Sequence, residues 1–146
     1  MTNRKINGAA KKPRLDARTK NGPWNKWAAA QLRRPNPIPA YHMTPLDPGT
    51  NYFVLQLERA GAVTTFSCEG HPDGFYVSFE ADETLARRIA SIGYFSVEIE
   101  NRINGWSIRT RHAKSEAERI FILSRAAEAW DANFGPIPDG IDEQAA

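Results

Sequence analysis

From residue 47 onward the chain alternates between two spacings of apolar residues, and each spacing predicts a different element. Phe53, Val54, Leu57 and Ala60 recur at steps of three and four behind Asp47-Pro48, an N-cap residue followed by a proline suited to a first helical turn. This predicts a helix that ends at Gly61. Val63-Thr-Thr-Phe-Ser67 is β-branched and aromatic, while Phe75, Val77 and Phe79 alternate with Tyr76, Ser78 and Glu80, so two strands with one buried face follow. Helical spacing returns at Leu85, Ile89 and Ile92, between a cap at Asp82 and a stop at Gly93. Phe95, Val97 and Ile99 then alternate with Ser96, Glu98 and Glu100, and a returning strand from Trp106 to Thr110 comes after Asn104-Gly105. A capping box, Ser115-Glu-Ala-Glu118, opens the last helix, which carries Ile120, Leu123, Ala127, Trp130 and Phe134 and stops at Gly135-Pro136.

Read in order, αββαββα, the pattern predicts an α+β fold: a two-layer sandwich whose four-stranded, largely antiparallel sheet carries helices on one face. The second hairpin yields a specific register. A two-residue Asn104-Gly105 turn sets Glu100 opposite Arg109, Glu98 opposite Arg111 and Ile103 opposite Trp106, with Ile99 on that same apolar side.

The chain before this body reads differently. Residues 1–22 are polar, basic and unpatterned, a composition that buries too little surface to offset ordering entropy, so disorder is expected there. Asn21-Gly22-Pro23 can start a short helix with Trp24, Trp27, Ala28 and Leu32 along one side, and Pro35-Asn-Pro-Ile-Pro39 makes an extended connector. The expected division is a disordered basic segment over 1–22, a short helix and Pro-rich linker over 23–40, a single α+β domain over 41–135 and an acidic tail over 136–146.

Charge changes this picture from a fold into a candidate binder. The net charge of +2 conceals +9 over residues 1–40, ten Lys/Arg against Asp16, and −7 over the remainder, nine bases against sixteen acids. Lys11, Lys12, Arg14, Arg18, Lys20, Lys26, Arg33 and Arg34 are candidates for gripping phosphates of RNA or single-stranded DNA, with Trp24 and Trp27 stacking on bases. The competing expectation is that Trp24, Trp27 and Leu32 pack on the body, or that the arm meets an acidic surface. The N-terminal residues lack the apolar run of a signal peptide and no stretch approaches the roughly 20 apolar residues of a membrane span, so a cytoplasmic protein with no membrane partner is expected. Cys68 is the single cysteine, which leaves no intrachain disulfide to form.

One loop holds more chemistry than a turn requires. Cys68-Glu-Gly-His-Pro-Asp-Gly74 joins two strands that two residues could join. As a nucleophile site, Cys68 would be activated by His71, with Glu69 or Asp73 orienting the imidazole. As a zinc site, Cys68 and His71 would need two more ligands from His42, His112 or distant carboxylates; no spacing supplies them, so no metal is expected, nor any cofactor. As a ligand pocket, Ser67, His71, Asp73 and the amides around Gly70 and Gly74 would hold a phosphate, nucleotide or carboxylate group. A plain turn is the remaining reading, since Asp73-Gly74 is ordinary turn chemistry.

Phe66-Ser-Cys-Glu-Gly-His-Pro72 followed by Gly74-Phe-Tyr-Val resembles a motif of small, functionally unassigned bacteriophage and prophage proteins, over roughly residues 47 to 100. Ser67, Cys68 and Gly70 are also similar to the Ser-Cys-x-Gly turn of the wybutosine-synthesis methyltransferase family that acts on tRNA. That family has arginine where this chain has His71 and a small residue where it has Glu69. The phage resemblance implies an accessory protein, and the arm and loop make nucleic acid or a nucleotide-like ligand its expected target. Two alternatives stand beside it: a group-transfer or hydrolytic enzyme centred on Cys68, His71 and Glu69, and a protein-interaction or inhibitor role against a host protein.

Overall fold

The two apolar spacings become helices and strands in the expected order. In the computed structural model, which describes residues 22–34, 46–68, 74–100, 103–110 and 113–140, helix α1 (Pro23–Arg33) is followed by α2 (Asn51–Arg59), β1 (Val63–Cys68), β2 (Tyr76–Glu80), α3 (Glu83–Ile92), β3 (Phe95–Ile99), β4 (Gly105–Thr110) and α4 (Glu116–Phe134). Local chemistry sets most of the boundaries. Asp82 Oδ1 accepts a bond from Leu85 N at 3.1 Å to start α3, and Ser115 Oγ accepts one from Glu118 N at 3.1 Å to start α4. Glu118 Oε1 reaches back to Lys114 N at 2.5 Å, completing a capping box displaced by one residue. Gly93 and Gly135 end these helices at φ 95° and 87°, a region that a side chain disfavours.

Asp47 does not cap through its carboxylate. Its backbone carbonyl accepts from Thr50 N at 3.0 Å and from the Thr50 hydroxyl at 2.8 Å, which closes a 3-10 turn (Pro48–Thr50) ahead of α2.

The strands form one antiparallel sheet in the order β1-β2-β4-β3. Val77, Ile108 and Val97 lie in one row across it, and Phe79, Trp106 and Ile99 in the next. This face meets α2 and α4, giving a two-layer α+β sandwich. Phe53 of α2 makes edge-to-face contacts with Tyr52, Phe75, Phe95 and Trp130 at centroid distances of 5.1 to 5.7 Å, and Phe75 stacks on Phe95. All five rings are buried.

The β3–β4 hairpin exists, but its register corrects the two-residue turn. Trp106 pairs with Ile99 instead of Ile103, Glu98 with Ser107 instead of Arg111, and Arg109 with Ser96 instead of Glu100. Asn104 does adopt a positive φ of 52°. Its carbonyl, however, accepts from Ala81 N at 3.0 Å and Trp106 Nε1 donates to Ala81 O at 3.0 Å, so the tip is fixed to the end of β2. Ile99 and Ile103 are consequently exposed rather than packed beside Trp106.

Helix α1, expected as part of the arm, belongs to the core. It lies against α2 and α4, which explains why α2 is buried from Asn51 to Leu57 rather than along one stripe. Trp24 Nε1 donates to Gly49 O at 2.9 Å, Gln31 Nε2 to Leu46 O at 3.1 Å and Asn51 Nδ2 to Trp27 O at 2.7 Å. Ile137, assigned from sequence to the tail, is also in the hydrophobic cluster.

Between α2 and α4 runs a buried polar chain. Tyr52 Oη donates to Asp131 Oδ1 at 2.6 Å and accepts from Gln56 Nε2 at 3.0 Å, and Gln56 Nε2 also reaches Gly135 O at 2.8 Å. Burial first, and the Asp131 carboxylate second, hold the Tyr52 phenol well above the ordinary tyrosine range.

Two predictions follow from this core. Phe53→Ala should cost about 3–5 kcal/mol in urea unfolding, because a cavity replaces a ring with four aromatic neighbours. The Tyr52 phenol stays neutral in the folded chain while the unfolded chain ionises near pH 10, so its contribution is present below about pH 10 and falls as pH rises beyond it. Tyr52→Phe should lower stability by about 1–3 kcal/mol at neutral pH and flatten that alkaline decline, as measured by urea unfolding on both sides of about pH 10.

Candidate functional site

The second face of the sheet carries no member of the hydrophobic cluster. Alternation places Tyr76, Ser78 and Glu80 there from β2, Ser107 and Arg109 from β4, and Ser96 and Glu98 from β3. β1 would present its residues differently were it regular. After Thr64 pairs with Phe79, the register slips by one residue, so that Phe66 pairs with Ser78 and Cys68 with Tyr76. Thr65 is the extra residue, and its hydroxyl is bonded to Ser78 O at 3.2 Å. The slip turns Phe66 and Cys68 onto the second face and sends Ser67, opposite Val77, to the core side.

Two transverse rows result: Cys68, Tyr76, Arg109, Ser96, and beside it Phe66, Ser78, Ser107, Glu98. The Arg109 guanidinium lies 4.9 Å from the centroid of the Tyr76 ring. It also meets Glu98 at 3.7 Å, a pair exposed enough to be largely screened. Phe66 is 51% exposed, unusually so for a phenylalanine in a strand. Ser107, one strand beyond Ser78 in the second row, is fully buried, and its Oγ has no hydrogen-bond partner among the described residues. Phe66, Tyr76 and Arg109 together form an array of two aromatic rings and one cation on this face.

Of the residues expected from sequence, the described set includes a part. Cys68 is half-buried in this array. Ser67 points to the opposite face, so it does not share a pocket wall with Cys68; Gly74 is half-buried ahead of β2. Glu69, Gly70, His71 and Asp73 lie outside the described residues, as do Lys11, Lys12, Arg14, Arg18, Lys20 and all three histidines. Among the described residues no group of three or more His, Cys, Asp or Glu is placed to hold a metal ion. No described helix is long and apolar enough to cross a membrane.

Trp24 and Trp27 require a correction. At 5% and 4% exposure they are core residues and offer no face to a base. Lys26 pairs with Asp139 at 2.5 Å and sits 5.2 Å from the Trp27 ring, so it joins α1 to the segment after α4. Arg33 is exposed and Arg34 half-buried.

Sequence reasoning missed Tyr76 and Arg109. Tyr76 was legible as an outward residue in an otherwise apolar alternation, but its partnership with Arg109 depends on β2 pairing with β4. Compared with known proteins, the chain matches no family model, no curated protein and no solved structure.

Proposed function

We propose that this protein binds single-stranded nucleic acid, with the second sheet face as the platform for bases and the cations of residues 1–21 as phosphate contacts. The observation that carries the reading is the pair of rings: Phe66 and the Arg109-backed Tyr76 ring on adjoining strands of one sheet face. Stacking on aromatic rings is tolerant of sequence because every base has a π-face, and a guanidinium beside the ring can meet a base or a phosphate. The basic segment adds the long-range attraction that an acidic body lacks. The tryptophans now stand outside this reading, and the sheet aromatics take their place.

The test is fluorescence anisotropy with labelled single-stranded RNA and DNA at two salt concentrations. Phe66→Ala and Tyr76→Ala should each weaken binding by about 1–3 kcal/mol, while the folded state tolerates the loss of the half-exposed Phe66 ring. Arg109→Ala should weaken it as well. A chain lacking residues 1–21, which keeps Trp24 and Trp27, should show a flatter salt dependence. No binding at low salt, or binding indifferent to the Phe66 and Tyr76 substitutions, would overturn the reading.

A further inference from the structure

A second recess lies within the helical layer. A cleft of about 420 Å³ opens between the end of α2, the start of α3 and the end of α4, with Arg59, Thr84 and Arg88 among polar walls and Ala60, Leu85 and Phe134 among apolar ones. Its two guanidinium groups are held in place. Arg88 sits 4.4 Å from the Phe134 ring centroid and donates through Nη2 to Asn133 O. Arg59 donates through Nη1 to Gln56 Oε1 at 2.7 Å and to Gly135 O at 3.4 Å. Neither forms an ion pair with a carboxylate among the described residues. The acid in the cleft lining, Asp82, spends one oxygen on the α3 N-terminus, leaving two cations facing one acid.

A guanidinium anchored on one side presents its other N–H groups as a planar fork. Two forks around one recess offer more donors than the two oxygens of a carboxylate accept, and match the three terminal oxygens of a phosphomonoester. The cleft volume falls in the range of small-ligand sites, and its apolar walls suit a ring-bearing body. We propose that this cleft binds a phosphomonoester carried on a small aromatic body, through Arg59 and Arg88. The competing account is that both arginines serve only the carbonyls at the C-terminal end of α4.

Calorimetric titration of the full chain with phenyl phosphate at fixed ionic strength separates the two. Saturable one-site binding is expected, weaker for inorganic phosphate and absent for phenol. Arg59→Gln and Arg88→Gln should each weaken phenyl phosphate by about tenfold or more, while Phe66→Ala leaves it unchanged, which keeps this site distinct from the sheet face. Absence of saturable binding by the unmodified chain overturns the proposal; so does unchanged affinity in both arginine variants alongside a lowered melting temperature. Should a variant fail to fold, the arginine Nε–Hε resonances of the unmodified protein decide: two that move with phenyl phosphate support the site, and none moving overturns it.

Discussion

The Phe53 ring meets four other aromatic rings, and this constraint fixes the sheet against its helices. Edge-to-face contacts are directional, so α2 cannot slide along the sheet without losing Phe75, Phe95 and Trp130 together. Phe75 lies just ahead of β2 and Phe95 opens β3, two strands that do not touch because β4 lies between them. They stack because Thr110 of β4, paired with Phe95, is small enough for the two rings to meet above it. The buried Thr110 hydroxyl has no hydrogen-bond partner among the described residues, a cost the aromatic packing must outweigh.

Behind that cluster the polar groups are arranged by the same packing. Because α2 has the sheet on one side and α1 on the other, Asn51, Tyr52 and Gln56 are buried; Asn51 Oδ1 has no partner among the described residues, while Asn51 Nδ2, Tyr52 Oη and Gln56 Nε2 are bonded internally. Trp24 and Gln31 do the same from the α1 side, through backbone carbonyls at Gly49 and Leu46. The helix that composition assigned to an arm is therefore stapled to the body by specific bonds. Opposed surfaces then divide the chemistry: aromatic rings and a cation on the outer sheet face, two anchored guanidiniums at the end of the helical layer.

Most elements were legible because local signals agreed with one another. Asp82, Gly93 and Ser115 mark helix ends through their own backbone neighbours, and the apolar residues of α4 fall at one spacing. What stayed hidden depends on contacts distant in sequence. The expected hairpin register assumed that Asn104-Gly105 alone set the turn, whereas Ala81 holds the tip. Trp24 and Trp27 read equally well as a binding stripe or a packing stripe, and only the position of Gly49, Leu46 and Asn51 decides between them. The Tyr76–Arg109 pairing likewise depends on strand order, which periodicity does not encode.

The extra residue in β1 makes the aromatic surface a matter of register. Strand parity is binary, so pairing Thr65 with Ser78 in place of the slip would turn Phe66 inward opposite Val77 and bring Ser67 out opposite Tyr76, exchanging an aromatic display for a hydroxyl without altering a single side chain.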